Sequence, residues 1–288
     1  MLFRTRCVET VSCDLCFAVS SISFVSSASS ASFTPYLPFP PGLRQNTTQA
    51  RLSFNPMPHR GRFIAIEGID GSGKRTQIDL LSHALEARGV AHVRYSFPRY
   101  ESSFGRLVAR YLNGDFGRLD AVDPHFSALL YAGDRFEARA ELESALAEGK
   151  TVLADRYIGS NLAHQTARVG TQRREEFLSW LKRLEYGIYG LPAEELVIYL
   201  RLPALEAHRL VGLKAARNYT HLQRDLQEAD LKHLEQAALV YDRLATEPNW
   251  VTVECFDTAA GELRQPEAIH RAVMAAVESR LVGLAWAK

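Results

Sequence analysis

Cysteine is scarce. Four occur in 288 residues, and three of them, Cys7, Cys13 and Cys16, lie near the amino terminus. Cys255 alone remains for the main body, which therefore has no internal bridge and is no disulfide scaffold. Cys13 and Cys16 form a C-x-x-C, but no second pair and no βαβ context surround it, which argues against metal or redox use. An excess of one charge is also lacking: 34 Lys+Arg face 33 Asp+Glu, for a formal charge of +1. A protein built to coat nucleic acid would show a large basic excess. No apolar run reaches the length of a membrane span, so the body reads as soluble. No zinc-ligand spacing, Ser–His–Asp arrangement or internal repeat is evident. What is present, 47% hydrophobic and 23% charged residues, is ordinary globular composition, long enough for one or two domains with a buried core.

The composition is uneven along the chain. Residues 1–56 carry Arg4, Arg6, Arg44 and Arg51 against Glu9 and Asp14. A Ser/Ala-rich stretch from Ser20 to Ser32 leads into Pro35, Pro38, Pro40 and Pro41. The segment has neither helical nor strand period and reads as a disordered leader. Three readings stay open: an organelle transit peptide, a secretory signal interrupted by Asp14 and the serines, or upstream sequence carried by a start placed too early, with Met57 the next methionine. The location follows as cytoplasmic, or as an organelle matrix if the leader is a transit peptide.

From Arg62 onward, residues 57–288 form one domain in which strands and helices alternate. Short β-rich runs are expected at 63–66, 90–97, 151–154, 195–202 and 250–255. Helical spacing is expected at 76–88, 104–112, 124–148, 173–186, 204–213, 227–246 and 266–281. This alternation predicts an α/β fold: a five-stranded parallel sheet covered by helices on both faces. In such sheets ligands sit at the carboxyl ends of strands, so the segments after the first three strands matter most.

The first of these is Gly68-Ile-Asp-Gly-Ser-Gly-Lys-Arg75-Thr76. It matches G-x-x-x-x-G-K between a strand and a helix. Gly68, Gly71 and Gly73 allow the backbone, with Ser72, to turn N–H groups onto phosphate oxygens. The helix start adds a field favourable to anions, and Lys74 can reach the β- and γ-phosphates of a nucleoside triphosphate. The residue after the lysine is usually a metal-binding Ser or Thr. Here it is Arg75, with Thr76 one step late, so a metal ion would lean on Asp70 and Asp155.

After the second strand comes Phe97-Pro-Arg-Tyr100, and after the third Asp155-Arg-Tyr157 followed by Ser160-Asn-Leu-Ala-His-Gln165, with Asp134-Arg135 between them. Together and in this order these motifs resemble the thymidylate kinase family, from about Phe63 to the last helix. Some bacterial members also carry Gly-Lys-Arg-Thr. The resemblance implies a P-loop fold with a mobile lid, ATP and dTMP as substrates, Mg²⁺ as cofactor, and formation of dTDP on the way to dTTP. It implies Phe97 and Tyr131 against the thymine ring, Arg135 and Asn161 at the base edge, Arg156 and nearby Arg99 at the dTMP phosphate, and Asp70 near the sugar 3′-OH and metal. His164 stands where many relatives have Tyr beside the sugar 2′ position, a departure that bears on ribonucleotide discrimination. The resemblance also implies a homodimer through the helices between the second and third strands.

Residues 214–227 resemble the lid, with Lys214, Arg217, Tyr219 and Arg224. Some relatives carry a transition-state arginine inside the phosphate loop; here that position is Gly71. Arg217 is therefore the first candidate for the charge that phosphoryl transfer needs, with Arg209 and Lys214 behind it. Catalysis would rest on Lys74, Arg156, Arg217 and Asp70, and ATP binding on residues 68 and 71–76 with Arg209. Two rival readings are a kinase for another nucleoside monophosphate and a nucleotide-binding regulatory protein. Neither nucleic acid nor membrane is an expected partner.

Overall fold

The structure is a computed structural model that describes residues 60–212 and 230–281. The leader, the lid segment with Lys214 and Arg217, and the carboxyl terminus lie outside the described residues. All described residues fall in one unit, Phe54–Lys288.

Five parallel strands form the sheet: β1 (Phe63–Glu67), β2 (His92–Ser96), β3 (Thr151–Asp155), β4 (Leu196–Arg201) and β5 (Trp250–Glu254), in the order β2-β3-β1-β4-β5. β1 is the central strand, and all five of its residues are buried. Its unbroken apolar run, rather than an alternating one, follows from helices covering both faces. Ile64 pairs with Leu153 on one side and Leu196 on the other.

The strand order sets the layers. The β1-to-β2 connection runs across β3 in one direction, and every later connection steps the opposite way. A right-handed crossover then places α1 (Lys74–Ala87) on one face, where the last helix, α8 (Pro266–Arg280), packs against it. The other face carries α3 (Pro124–Ala147), α4 (Ile158–Thr166), α6 (Ala204–Gly212) and α7 (Leu231–Leu244). α2 (Ser103–Leu112) packs on α3, and α5 (Arg174–Lys182) on α4. The apolar residues that marked the first helix, Ile78, Leu81 and Leu85, are buried. Among the described residues no helix is long and apolar enough to cross a membrane.

Three details depart from the sequence expectation. Residues 158–166, expected only as a motif-bearing segment, form helix α4. The helix expected over 173–186 is α-helical only to Lys182 and then widens into a π turn, Arg183–Ile188, which carries the fully buried Glu185. A short antiparallel hairpin, β6 (Phe256–Asp257) and β7 (Glu262–Leu263), follows β5.

Candidate active site

The loop between β1 and α1 is shaped by its glycines. Gly68, Gly71 and Gly73 all have positive φ, at 145°, 92° and 86°. A side chain at Gly71 would stand 2.5 Å from the Ala207 carbonyl oxygen, and one at Gly68 2.7 Å from that of Leu200. Only glycine fits both the backbone and the space. Lys74 is buried and donates from Nζ to the carbonyls of Gly68 and Ile69, each at 2.9 Å, so its charge lies across the loop. Ser72 Oγ is buried without a protein partner. Arg75 and Thr76 are exposed on the first turn of α1.

At the end of β3, Arg156 adopts φ 63°, a left-handed conformation rare for a side chain of this size and costly without support. The support comes from Glu67, the last residue of β1. Its Oε1 accepts the backbone N–H of Tyr157 (2.7 Å) and of Ser160 (3.0 Å). Its Oε2 accepts the hydroxyls of Ser160 (2.6 Å) and Tyr241 (2.9 Å). Glu67 thus caps α4, whose own N-terminus has no side-chain cap. Ser160 Oγ in turn accepts from Arg156 Nη1 at 2.9 Å, while Arg156 Nη2 donates to Asp70 at 2.5 Å. Burial opposes the charge on Arg156, but Asp70, with Tyr241 and Glu67, more than offsets it and holds the guanidinium protonated.

These groups open onto a cavity beside β2 and β3. Of the acceptor-site residues expected from the sequence, Asp70, Phe97, Tyr131, Arg135, Arg156, Asn161 and His164 all line it. Tyr100, Tyr157, Ser160 and Gln165 line it as well. Arg99 does not. Its backbone N–H and guanidinium are held by Asp134, with Glu141 a further partner, so it ties the Phe97–Ser102 loop to α3. Asp155 is not on the cavity wall either; it pairs with Ile66 across β1 and takes the Phe97 N–H on its carbonyl. Arg209 is exposed on α6 and paired with Glu206 at 3.0 Å. Arg217 lies outside the described residues.

The far end of the cavity is a polar network with defined free atoms. Glu185 accepts from Nε and Nη2 of the buried Arg135, leaving Nη1 outside that pair. Asn161 Nδ2 donates to the Ala128 carbonyl and to Glu185, two groups that only accept. Its orientation is therefore fixed, and Oδ1 is left without a partner. Gln165 Oε1 accepts from Ser127 Oγ and Arg168 Nη1; arginine only donates, so here the Nε2 donor is left over.

Comparison with known proteins decides the family. The thymidylate kinase family model matches residues 66–260. The chain belongs to the thymidylate kinase family. It is 33% identical to the thymidylate kinase of Mycobacterium tuberculosis over 185 residues, 64% of this chain and 86% of that protein. A probable thymidylate kinase of Pyrococcus abyssi matches over its whole length, at 31% identity and 78% of this chain. The solved thymidylate kinase structure from Candida albicans shares the fold, with a TM-score of 0.61 at 21% identity, covering 76% of this chain and 92% of that one.

Within this thymidylate kinase fold, sequence reading missed Glu67 and Glu185. An acid closing the otherwise apolar strand Phe63–Glu67 was a usable signal for the first. Nothing in the sequence linked Glu185 to Arg135, fifty residues earlier.

Proposed function

We propose that the chain transfers the γ-phosphoryl group of ATP to dTMP, giving dTDP and ADP, by direct in-line displacement. The observation that carries this reading is the set of free atoms at the base end of the cavity. Arg135 offers a donor at Nη1 and Asn161 an acceptor at Oδ1. A thymine edge presents the complement, a carbonyl oxygen and a ring N–H. Cytosine presents an amino donor and an unprotonated ring nitrogen, which mismatch both. Phe97 and Tyr131 supply aromatic surface for the ring.

The sheet order supports transfer between two ligands. The acceptor cavity lies on the β2/β3 side of β1. A second cavity, of about 580 Å³, lies toward the carboxyl ends of β4 and β5 and is lined by Arg201, Pro203, Phe256 and Arg264 among others. The phosphate loop follows the central strand between them. A donor in one cleft and an acceptor in the other would meet at Lys74 and Arg156. The acceptor phosphate is already an anion, so no dedicated base is required. Backbone N–H groups, Lys74, Arg156 and a lid arginine, with Arg217 first in line, neutralise the moving charge.

No group of three or more metal-ligating side chains exists among the described residues. Mg²⁺ usually takes one or two carboxylates together with substrate phosphates and water, so the oxygen donors Asp70 and Asp155, with the unpartnered Ser72 hydroxyl in the loop, fit an ion that arrives with the triphosphate. Bound there it would supply positive charge to the phosphates.

The exposed face of α3 supports a homodimer. Phe126, Leu129 and Phe136, spaced to share one stripe, are 45%, 37% and 47% exposed. The buried free thiol of Cys255 accords with a reducing compartment, read as the cytoplasm, or as an organelle matrix should residues 1–56 serve as a transit peptide.

The test is ADP release by the full chain with ATP and Mg²⁺, comparing dTMP, dUMP, CMP and AMP. Strong preference for dTMP is expected. Turnover of CMP or AMP in preference would overturn the substrate, and ATP binding without turnover would favour a regulatory protein.

A further inference from the structure

Two histidines meet behind the acceptor cavity. His164, on α4, and His233, in the first turn of α7, are 4% and 5% exposed. His164 Nδ1 and His233 Nε2 are 3.2 Å apart, and the rings sit 5.4 Å apart at 37°. The ring of Tyr241 stands nearly perpendicular to that of His164, with centroids 6.0 Å apart. His233 is anchored in turn, because its backbone N–H donates to the Asp230 cap at 3.1 Å. The second nitrogen of His164, Nε2, is buried without a hydrogen-bond partner, and the ring lines the cavity.

A buried polar atom left unmatched costs stability, so a satisfied partner is the rule and an orphan on a cavity wall points to a ligand. The chemistry of the pair narrows the ligand. Burial, and after it the positive charge of Arg156, pushes His164 well below its usual range; burial, and then Arg168, brings His233 down to about 4. Both rings are neutral near pH 7, so one proton lies between them. If His164 supplies it, its Nε2 is an acceptor; if His233 supplies it, Nε2 carries a proton and donates. A hydroxyl answers either state, since it can donate and accept.

The position narrows it further. His164 follows Asn161 by three residues and Ser160 by four, on the same face of α4. The charges of Arg156, Asp70 and Lys74 all reach it. An acceptor with its base against Asn161 and its phosphate at Arg156 brings its sugar to this face.

We infer that His233 is a positioning residue for acceptor recognition: it fixes the ring of His164 so that Nε2 meets the 3′-hydroxyl, the one free hydroxyl on the sugar of dTMP. This rests on the acceptor reading proposed above, and wild-type turnover of dTMP tests that reading first and separately.

The experiment is steady-state kinetics on the full chain with dTMP and with its dideoxy analogue, for wild type, His233→Leu, His233→Gln, His164→Phe and the Leu/Phe double variant. Losing one neutral hydrogen bond corresponds to about a fivefold weakening. His233→Leu should raise the KM for dTMP about fivefold, leaving the KM for ATP unchanged and kcat within about twofold. It should also shrink the preference for dTMP over the dideoxy analogue. His233→Gln, which restores a polar partner, should recover most of the loss. In the His164→Phe background His233→Leu should add nothing. An unchanged dTMP KM in His233→Leu would overturn the inference, and so would a full effect persisting without His164. Should the leucine variant not fold, His233→Phe takes its place: its ring fills the site but cannot pair with His164, so an unchanged dTMP KM at wild-type melting overturns the inference, and a raised one that His233→Gln restores sustains it.

Discussion

Glu67→Gln tests the support beneath Arg156. In the native protein one carboxylate accepts four hydrogen bonds, two from the N-terminal backbone of α4 and two from the hydroxyls of Ser160 and Tyr241. An amide retains an oxygen for the backbone pair but turns an NH₂ toward both hydroxyls. Ser160 would then have to accept from the amide while still accepting from Arg156, leaving its own proton only the Tyr241 hydroxyl, 3.1 Å away. Hydrogen bonds to a charged group are each worth about 1.5–3 kcal/mol, so losing two costs roughly 3–6 kcal/mol. At about 2–4 °C per kcal/mol for a domain of this size, melting should fall by roughly 6–24 °C. The loss should also reach function. Ser160 Oγ also takes Arg156 Nη1, so disturbing it should shift the guanidinium and raise the acceptor KM about tenfold or more while ATP affinity changes little. Thermal melting and substrate titrations of the variant measure both. Melting within about 2 °C of wild type, together with an unchanged dTMP KM, would show that Glu67 is not the support.

Lys74→Ala removes the charge lying across the phosphate loop and should lower kcat by at least about a hundredfold in the same ADP-release assay. Arg217→Ala should lower kcat with little change in the dTMP KM; an unchanged kcat would move the lid role to another residue. Glu194 is buried beside the Tyr186 hydroxyl and is raised by burial from 4.5 to about 7. Between those values the unfolded chain has released this proton while the folded chain keeps it, so stability falls as pH rises from about 4.5 to 7. Glu194→Gln removes that titration and should gain about 2.5 kcal/mol on wild type between pH 5 and pH 8, read from denaturant melts at the two values. A pH-independent difference would refute the assignment. Phe136→Glu, on the exposed stripe of α3, should shift the protein to monomer in sedimentation without unfolding it, and a wild-type association state would remove α3 from the interface.

The fold was legible because its signals are local. A buried strand reads as an apolar run, Phe63 to Ile66, and a surface helix as the spacing of Ile78, Leu81 and Leu85; each of the five strands of the parallel sheet falls within two residues of its expected bounds. The phosphate loop was legible for the same reason, since its glycines answer to backbone geometry within nine consecutive residues. Helix α4 escaped because its signals were already claimed. Tyr157 to Gln165 read as a motif, and its N-terminus lacks a local cap, which Glu67 supplies from another strand ninety residues earlier in the chain.

What stayed hidden is the allocation of hydrogen bonds, and this decides what each polar residue is free to do. From the sequence Arg99 and Arg135 are both expected at the acceptor, one near its phosphate and one at its base. Asp134 and Glu141 draw Arg99 off the cavity. Glu185, delivered by a π turn that no periodicity announces, takes two of the three nitrogens of Arg135 and leaves the third. The same acid orients Asn161, so one buried carboxylate sets both the donor and the acceptor proposed to read the base. Replacing Glu185 by Gln separates the two. The Ala128 carbonyl still takes Asn161 Nδ2 and keeps Oδ1 free, but an amide has one oxygen for the two Arg135 nitrogens, so its NH₂ must face an arginine donor and push the guanidinium off its place. The dTMP KM should then rise while thymine keeps its lead over cytosine; a preference turned toward cytosine would show that the Ala128 carbonyl does not hold Asn161.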